Sequence, residues 1–279
     1  MVSTLLRLLA ASTLVIPALV GVGATPSSTV PGPVHPKINP QSFVALPARK
    51  RHVLPSTPET NAQRMKRGLG PKRPNFGRHK RALLPRQSST PCASPTGYIE
   101  VDYVDDAGAT IDGYLGATAN DYGEYPFVES RDNALKVQLN NCASNGSPFD
   151  ISTLNGIANE PYLGFIDGFS NESPVLSPGS YNYVYIGGTS QTPSGSPPLV
   201  QSNSFTDATE LAEAVESAVW ELGSDGRLTS AWVNPDNSIP AEVLLYVPSA
   251  GTFTVTADRQ AFRDTFGPAF PVIFKFISA

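Results

Sequence analysis

The sequence predicts a mainly β protein, an antiparallel two-layer sandwich with one or two short helices, carried behind a basic leader. Three observations point there. Charge divides the chain, apolar residues in the second part recur with a period of two, and turn residues separate the apolar runs. An α+β sheet with one helix packed across it is the alternative arrangement. Of the 20 Lys and Arg residues, 14 lie in residues 1–86 against a single acid, Glu59, a net +13. The other six share residues 87–279 with 23 acids, a net −17. All three histidines (His35, His52, His79) also fall in the front part. A body without histidine and with two cysteines excludes Ser-His-Asp and Cys-His catalysis, His-ligated metals and zinc sites built from Cys and His. Its negative charge argues against nucleic-acid binding.

The first element is a secretory signal over residues 1–24. Arg7 precedes an uncharged, mostly apolar stretch, Leu8–Val22, and Val22-Gly23-Ala24 supplies small residues for signal peptidase. The stretch is shorter than the roughly 20 residues a membrane-spanning helix needs, and Pro17 interrupts it. The expected location of the mature protein is therefore extracellular, with no membrane in its mature form.

Residues 25–86 read as a disordered, proline-rich propeptide. Without apolar periodicity such a segment buries too little surface to offset its conformational entropy. Its basic residues come in pairs: Lys50-Arg51, Lys66-Arg67, Lys72-Arg73 and Lys80-Arg81. Exposed dibasic pairs suit a kexin-type processing protease, which binds its substrate extended. Arg51, Arg67 and Arg81 are the candidate cleavage positions; Lys80-Arg81, beside the change in composition, is the best placed. Pro74 hinders a cut after Arg73.

Residues 87–279 form the acidic domain. Ile99, Val101 and Tyr103 alternate with Glu100 and Asp102. Leu135, Val137 and Leu139 alternate in the same way, as do Phe253, Val255 and Ala257 with threonines. Each is a strand with one buried face. The runs 181–186, 241–247 and 272–277 are apolar on both faces, as central strands are. Residues 219–222 and 228–233 flank Ser224-Asp225-Gly226 and predict a hairpin. A helix is expected from Phe205 through Val215, capped by Thr206 or Ser204, and a helical turn over Gln260–Phe266 stopped by Gly267-Pro268.

Cys92 and Cys142 are the only thiols, and in a secreted chain they are expected to pair. The disulfide closes 51 residues, worth about 4 kcal/mol on the chain-entropy account. Asn145-Gly-Ser and Asn171-Glu-Ser match the N-glycosylation pattern, though Pro148 and Pro174 follow them.

The chemistry left to the body is carboxylates, hydroxyls and tyrosine. The acid groups Asp102/Asp105/Asp106/Asp112 and Asp121/Glu124/Glu129/Asp132 lie in turn-like stretches and read as a solvated surface. A carboxylate glycoside hydrolase is the poorest of the readings and structural calcium a minor one; no other cofactor is expected. Tyr181, Tyr183 and Tyr185 share one strand face and are the candidate platform for stacking a cell-wall polysaccharide. The competing reading places those rings in the core.

Several short motifs, taken together, resemble a family. They are Thr60-Asn-Ala-Gln-Arg64, Arg67-Gly68-Leu69, Thr96-Gly-Tyr-Ile99, Gly113-Tyr-Leu-Gly116, Gly123-Glu-Tyr125, Ala134-Leu-Lys-Val137, Ala231-Trp-Val-Asn-Pro-Asp236 and Phe266-Gly-Pro268. The chain resembles a group of uncharacterised secreted proteins of mushroom-forming fungi over most of residues 60–279. The resemblance implies a shared fold and carries no chemistry to any residue. The expected role is thus a secreted, propeptide-processed, non-catalytic domain acting at the cell surface or in the medium. The alternative is a carbohydrate-binding module.

Overall fold

A computed structural model describes residues 35–41, 94–140 and 147–279. Its first seven strands are β1 (Thr96–Val104), β2 (Thr110–Leu115), β3 (Phe127–Val128), β4 (Lys136–Leu139), β5 (Ile151–Thr153), β6 (Tyr162–Asp167) and β7 (Tyr183–Thr189). Then come β8 (Leu199–Val200), helix α1 (Ser204–Thr209), β9 (Ala214–Glu216), β10 (Trp220–Leu222) and β11 (Arg227–Ser230). The chain ends with β12 (Val243–Val247), β13 (Thr252–Thr256), helix α2 (Arg259–Phe266) and β14 (Phe270–Ser278). The architecture is mainly β, as the period-two runs predict.

The sandwich is not what forms. Strands β14, β12, β13, β7, β6, β5, β4 and β1 follow one another around a ring, and β1 pairs back onto β14. The result is a closed antiparallel barrel of eight strands with extra strands attached at β14, β1 and β6. Closure joins the first and last strands in seven registered pairs, from Gly97↔Ser278 to Tyr103↔Val272. Alternation marks which face of a strand is buried but not which strand lies beside it, so an open sandwich and a closed ring leave the same local pattern. Gly97 is required at the seam: a Cβ there would sit 2.0 Å from the Ile277 carbonyl oxygen.

The interior is apolar and rich in aromatic side chains. Ile99, Val101, Leu139, Phe165, Trp220, Phe253 and Phe274 are buried in one cluster. Trp220 donates its indole N–H to the Leu163 carbonyl at 2.7 Å and packs against Phe165 and Phe274. β1 alternates buried with half-buried positions and β14 buried with exposed ones, so β14, though paired on both sides, has one exposed face instead of two apolar ones. β7 is buried along its whole length. The hairpin forms as β10 and β11, in register Leu222↔Leu228, with Gly226 at φ 84°.

The helices are shorter than expected at one site and close to expectation at the other. α1 stops at Thr209 because Glu210 turns left-handed (φ 62°), and its cap is Asn203, whose carboxamide accepts from the Thr206 N–H. The predicted continuation to Val215 instead becomes β9 beside β6. α2 is capped by Asp258, which accepts from the Ala261 N–H, and ends at Gly267 (φ 92°).

A second buried cluster lies on the opposite face of β7 and β12 from the interior. It joins Ile166, Tyr183, Tyr185, Phe205, Leu245, Val247, Phe262 and Phe266, and it includes Ile38. Ile38 belongs to the stretch expected to be a disordered leader. Residues 35–41 therefore pack against the domain, with Ile38, Asn39 and Pro40 buried.

Candidate functional site

The site is the cleft that holds residues 35–41. Its floor is β7, whose alternation sends Val184 and Ile186 into the barrel and Tyr183 and Tyr185 outward. α1 brings Phe205 flat against the Tyr185 ring at 4.8 Å. α2 brings Phe262 and Phe266 edge-on to Tyr183 at 5.5 and 5.2 Å. The two tyrosine rings meet at 84° with centroids 5.2 Å apart. Both hydroxyls converge on one acceptor: the Ile38 carbonyl takes Tyr183 Oη at 2.5 Å and Tyr185 Oη at 2.6 Å. Each phenolic oxygen also accepts a backbone N–H, Ser170 onto Tyr183 and Phe169 onto Tyr185. Burial pushes both phenols well above their ordinary range, so they act as neutral donors.

The second half of the cleft comes from the tight turn before Glu124. Asn120 Oδ1 accepts from the N–H groups of Tyr122 and Glu124. Gly123 adopts φ 76° where a Cβ would lie 2.3 Å from the Ser204 carbonyl oxygen, so only glycine fits. Glu124 is fully buried, and its Oε2 accepts from Asn120 Nδ2 at 2.7 Å and Asn39 Nδ2 at 3.1 Å. Tyr122 donates its hydroxyl to the Pro40 carbonyl at 3.0 Å. At the other end of the segment His35 Nδ1 approaches the Thr265 carbonyl at 3.3 Å.

Desolvation raises Glu124 to about 7, only partly opposed by the two carboxamides. Among the described residues its Oε1 and the Oδ1 of Asn39 have no hydrogen-bond partner. Two acceptors left over in one contact are what a proton on the carboxyl would reconcile.

The sequence candidates fall as follows. Tyr183 and Tyr185 come together but lie under residues 35–41, and Tyr181 stands edge-on to Phe266 at 5.8 Å. The three rings do not form an exposed row. Asn171 is buried, and its Nδ2 donates to Asp167 and to the Tyr183 carbonyl, both at 2.6 Å. The folded domain leaves no room for a glycan at Asn171. Cys92, Cys142, Asn145, Arg51, Arg67 and Arg81 lie outside the described residues.

Of the acid groups, Asp105 accepts from Ala107 and Ala109 N–H, and Asp106 faces Arg263 at 3.3 Å. Glu124 departs from the solvated reading; its setting between Tyr122, Tyr125 and Phe127 is the signal that marks it. Sequence reasoning also missed Glu216 and Glu242. Glu216 accepts from the Val233 N–H and Glu242 from the Trp232 N–H at 2.7 Å. Burial raises them to about 9 and about 7, with Glu242 adding to the shift on Glu216. They hold two consecutive amides of one segment, which is a structural job. An open depression of about 440 Å³ is lined instead by Asn140, Phe149, Asp150, Gln191 and Ser194. Asp150 is its one carboxyl and is already bonded to Ser217 and Gln191. Among the described residues no group of three or more His, Cys, Asp or Glu side chains is placed to hold a metal ion, and no helix is long and apolar enough to cross a membrane.

No protein-family model, no curated protein and no solved structure matches this chain.

Proposed function

We propose that this chain is a secreted precursor whose acidic barrel is a non-catalytic binding module, kept closed by its own leader until processing at the dibasic sites. One observation carries the reading. Two phenolic donors from a single strand converge on the carbonyl of Ile38, a leader residue, inside a cleft lined by rings and a buried carboxyl. A barrel filled with side chains has no internal room for a ligand. The outer cleft is the place where the domain already holds something by specific polar contacts. The signal-like N-terminus and the paired basic residues support secretion and cleavage by signal peptidase and a kexin-type protease.

The test is the mature end of the secreted product. Expression in a fungal host followed by mass measurement should give a domain starting after Arg81. Replacing Lys80-Arg81 by Ala-Ala should shift the end to an upstream pair or leave the leader attached. A secreted product that keeps residues 25–81 intact in the natural sequence contradicts the proposal. Tight binding of the processed domain to chitin, glucan or cellulose would replace the closed-cleft reading with a polysaccharide-binding one.

A further inference from the structure

Resting on that reading of the cleft, we infer that it is a site for a polypeptide of the form aliphatic–Asn–Pro, bent as Ile38-Asn39 is bent, with Ile38-Asn39-Pro40 as a tethered occupant that a free peptide replaces. Each part of the occupant meets its own complement. The Ile38 side chain enters the cluster of Ile166, Phe205 and Phe262. Its carbonyl takes the two phenolic hydroxyls, Asn39 offers its carboxamide to Glu124, and the Pro40 carbonyl takes Tyr122. Proline has no N–H, so a peptide carrying it there leaves no donor stranded in the cleft. The donors are side chains fixed by the domain itself, and the segment forms no strand with the barrel. The occupant is therefore read as a ligand is read and is not woven into the sheet.

Connectivity supports exchange. Ile38 and Tyr183 are 145 residues apart, and between Gln41 and Ser94 the sequence carries all four dibasic pairs. A cut at any of them leaves residues 35–41 held by non-covalent contacts alone. Before the cut, the tether keeps the occupant at a high effective concentration and a free peptide competes poorly; afterwards that advantage is gone.

The experiment uses the full chain, before and after treatment with a kexin-type protease, and a fluorescein-labelled His-Pro-Lys-Ile-Asn-Pro-Gln peptide. Anisotropy should show saturable binding to the cut chain, at least tenfold weaker apparent binding to the uncut chain, and release by excess unlabelled peptide. Changing the peptide's Asn to Ala, or the domain's Tyr183→Phe with Tyr185→Phe, should each weaken binding at least tenfold. The Ile38→Asp chain supplies a cleft vacated without any cut. A folded chain that resists the protease counts against the processing reading, and the Ile38→Asp chain then tests the ligand alone. If the peptide binds neither the cut chain nor Ile38→Asp, with near-ultraviolet circular dichroism showing both folded, the inference is overturned. Equal binding of a scrambled peptide overturns it as well.

Discussion

The inside of the barrel and the cluster outside β7 share one strand and use it differently. Inward, Val184 and Ile186 join an apolar core whose two indole N–H groups, of Trp220 and Trp232, are satisfied by the Leu163 and Pro174 carbonyls. Outward, Tyr183 and Tyr185 are as deeply buried, yet their hydroxyls, 3.2 Å from each other, both donate to the Ile38 carbonyl. The inner core is built from residues 99–274 alone, whereas the outer one also takes in Ile38. On the proposed function, that difference separates stability from binding: removing an inner contact costs folding, and removing the Ile38 contact opens the cleft.

The largest test of that contrast is Trp220→Ala. Removing a fully buried indole leaves a cavity between Phe165 and Phe274 and should cost about 4 kcal/mol. Denaturant unfolding should show the same loss whether or not the leader is attached. A loss that depends on the leader would merge the two regions.

The next effect is pH dependence. Glu124, Glu216 and Glu242 are raised in the folded domain to about 7, about 9 and about 7 from an ordinary value of 4.5. The folded state therefore holds protons that the unfolded chain gives up. Stability is greatest below about pH 4.5 on this account and declines as pH rises through 7 towards 9. Glu216, the most strongly raised of the three, should carry the largest share of the decline, and Glu216→Gln should flatten that part of the curve. A melting temperature that climbs from pH 5 to pH 8 would contradict the burial of these acids.

The smallest expected change is Ile38→Ala. It removes a buried side chain from the outer cluster and should cost about 2 kcal/mol of leader docking while leaving barrel unfolding unchanged. Limited proteolysis of the leader against denaturant unfolding of the domain separates the two readouts.

The period-two runs, the hairpin at Asp225-Gly226 and the stop of α2 at Gly267 were legible in the sequence because each is set by residues within a few positions. Closure of the barrel was not legible. It rests on Gly97 to Tyr103 meeting Val272 to Ser278, and no local pattern encodes a neighbour so distant. The helix ends after six residues where Glu210 turns left-handed, a conformation glutamate does not favour and the sequence therefore does not announce. The cleft was half legible. The shared face of Tyr183 and Tyr185 follows from alternation, but their cover does not. Ile38 is one apolar residue among prolines, and only a preformed cleft gives it somewhere to go. Glu124 looked like its acidic neighbours because composition does not register the aromatic residues around it.

Tyrosine acetylation by N-acetylimidazole, read site by site by mass spectrometry, tests most directly whether the leader covers the cleft. In the intact chain Tyr183 and Tyr185 should remain unmodified while the half-buried Tyr114 and Tyr162 react, and in the Ile38→Asp chain both cleft tyrosines should become reactive. Modification of Tyr183 and Tyr185 in the intact folded chain, or their continued protection in Ile38→Asp, would show that residues 35–41 are not what closes the site.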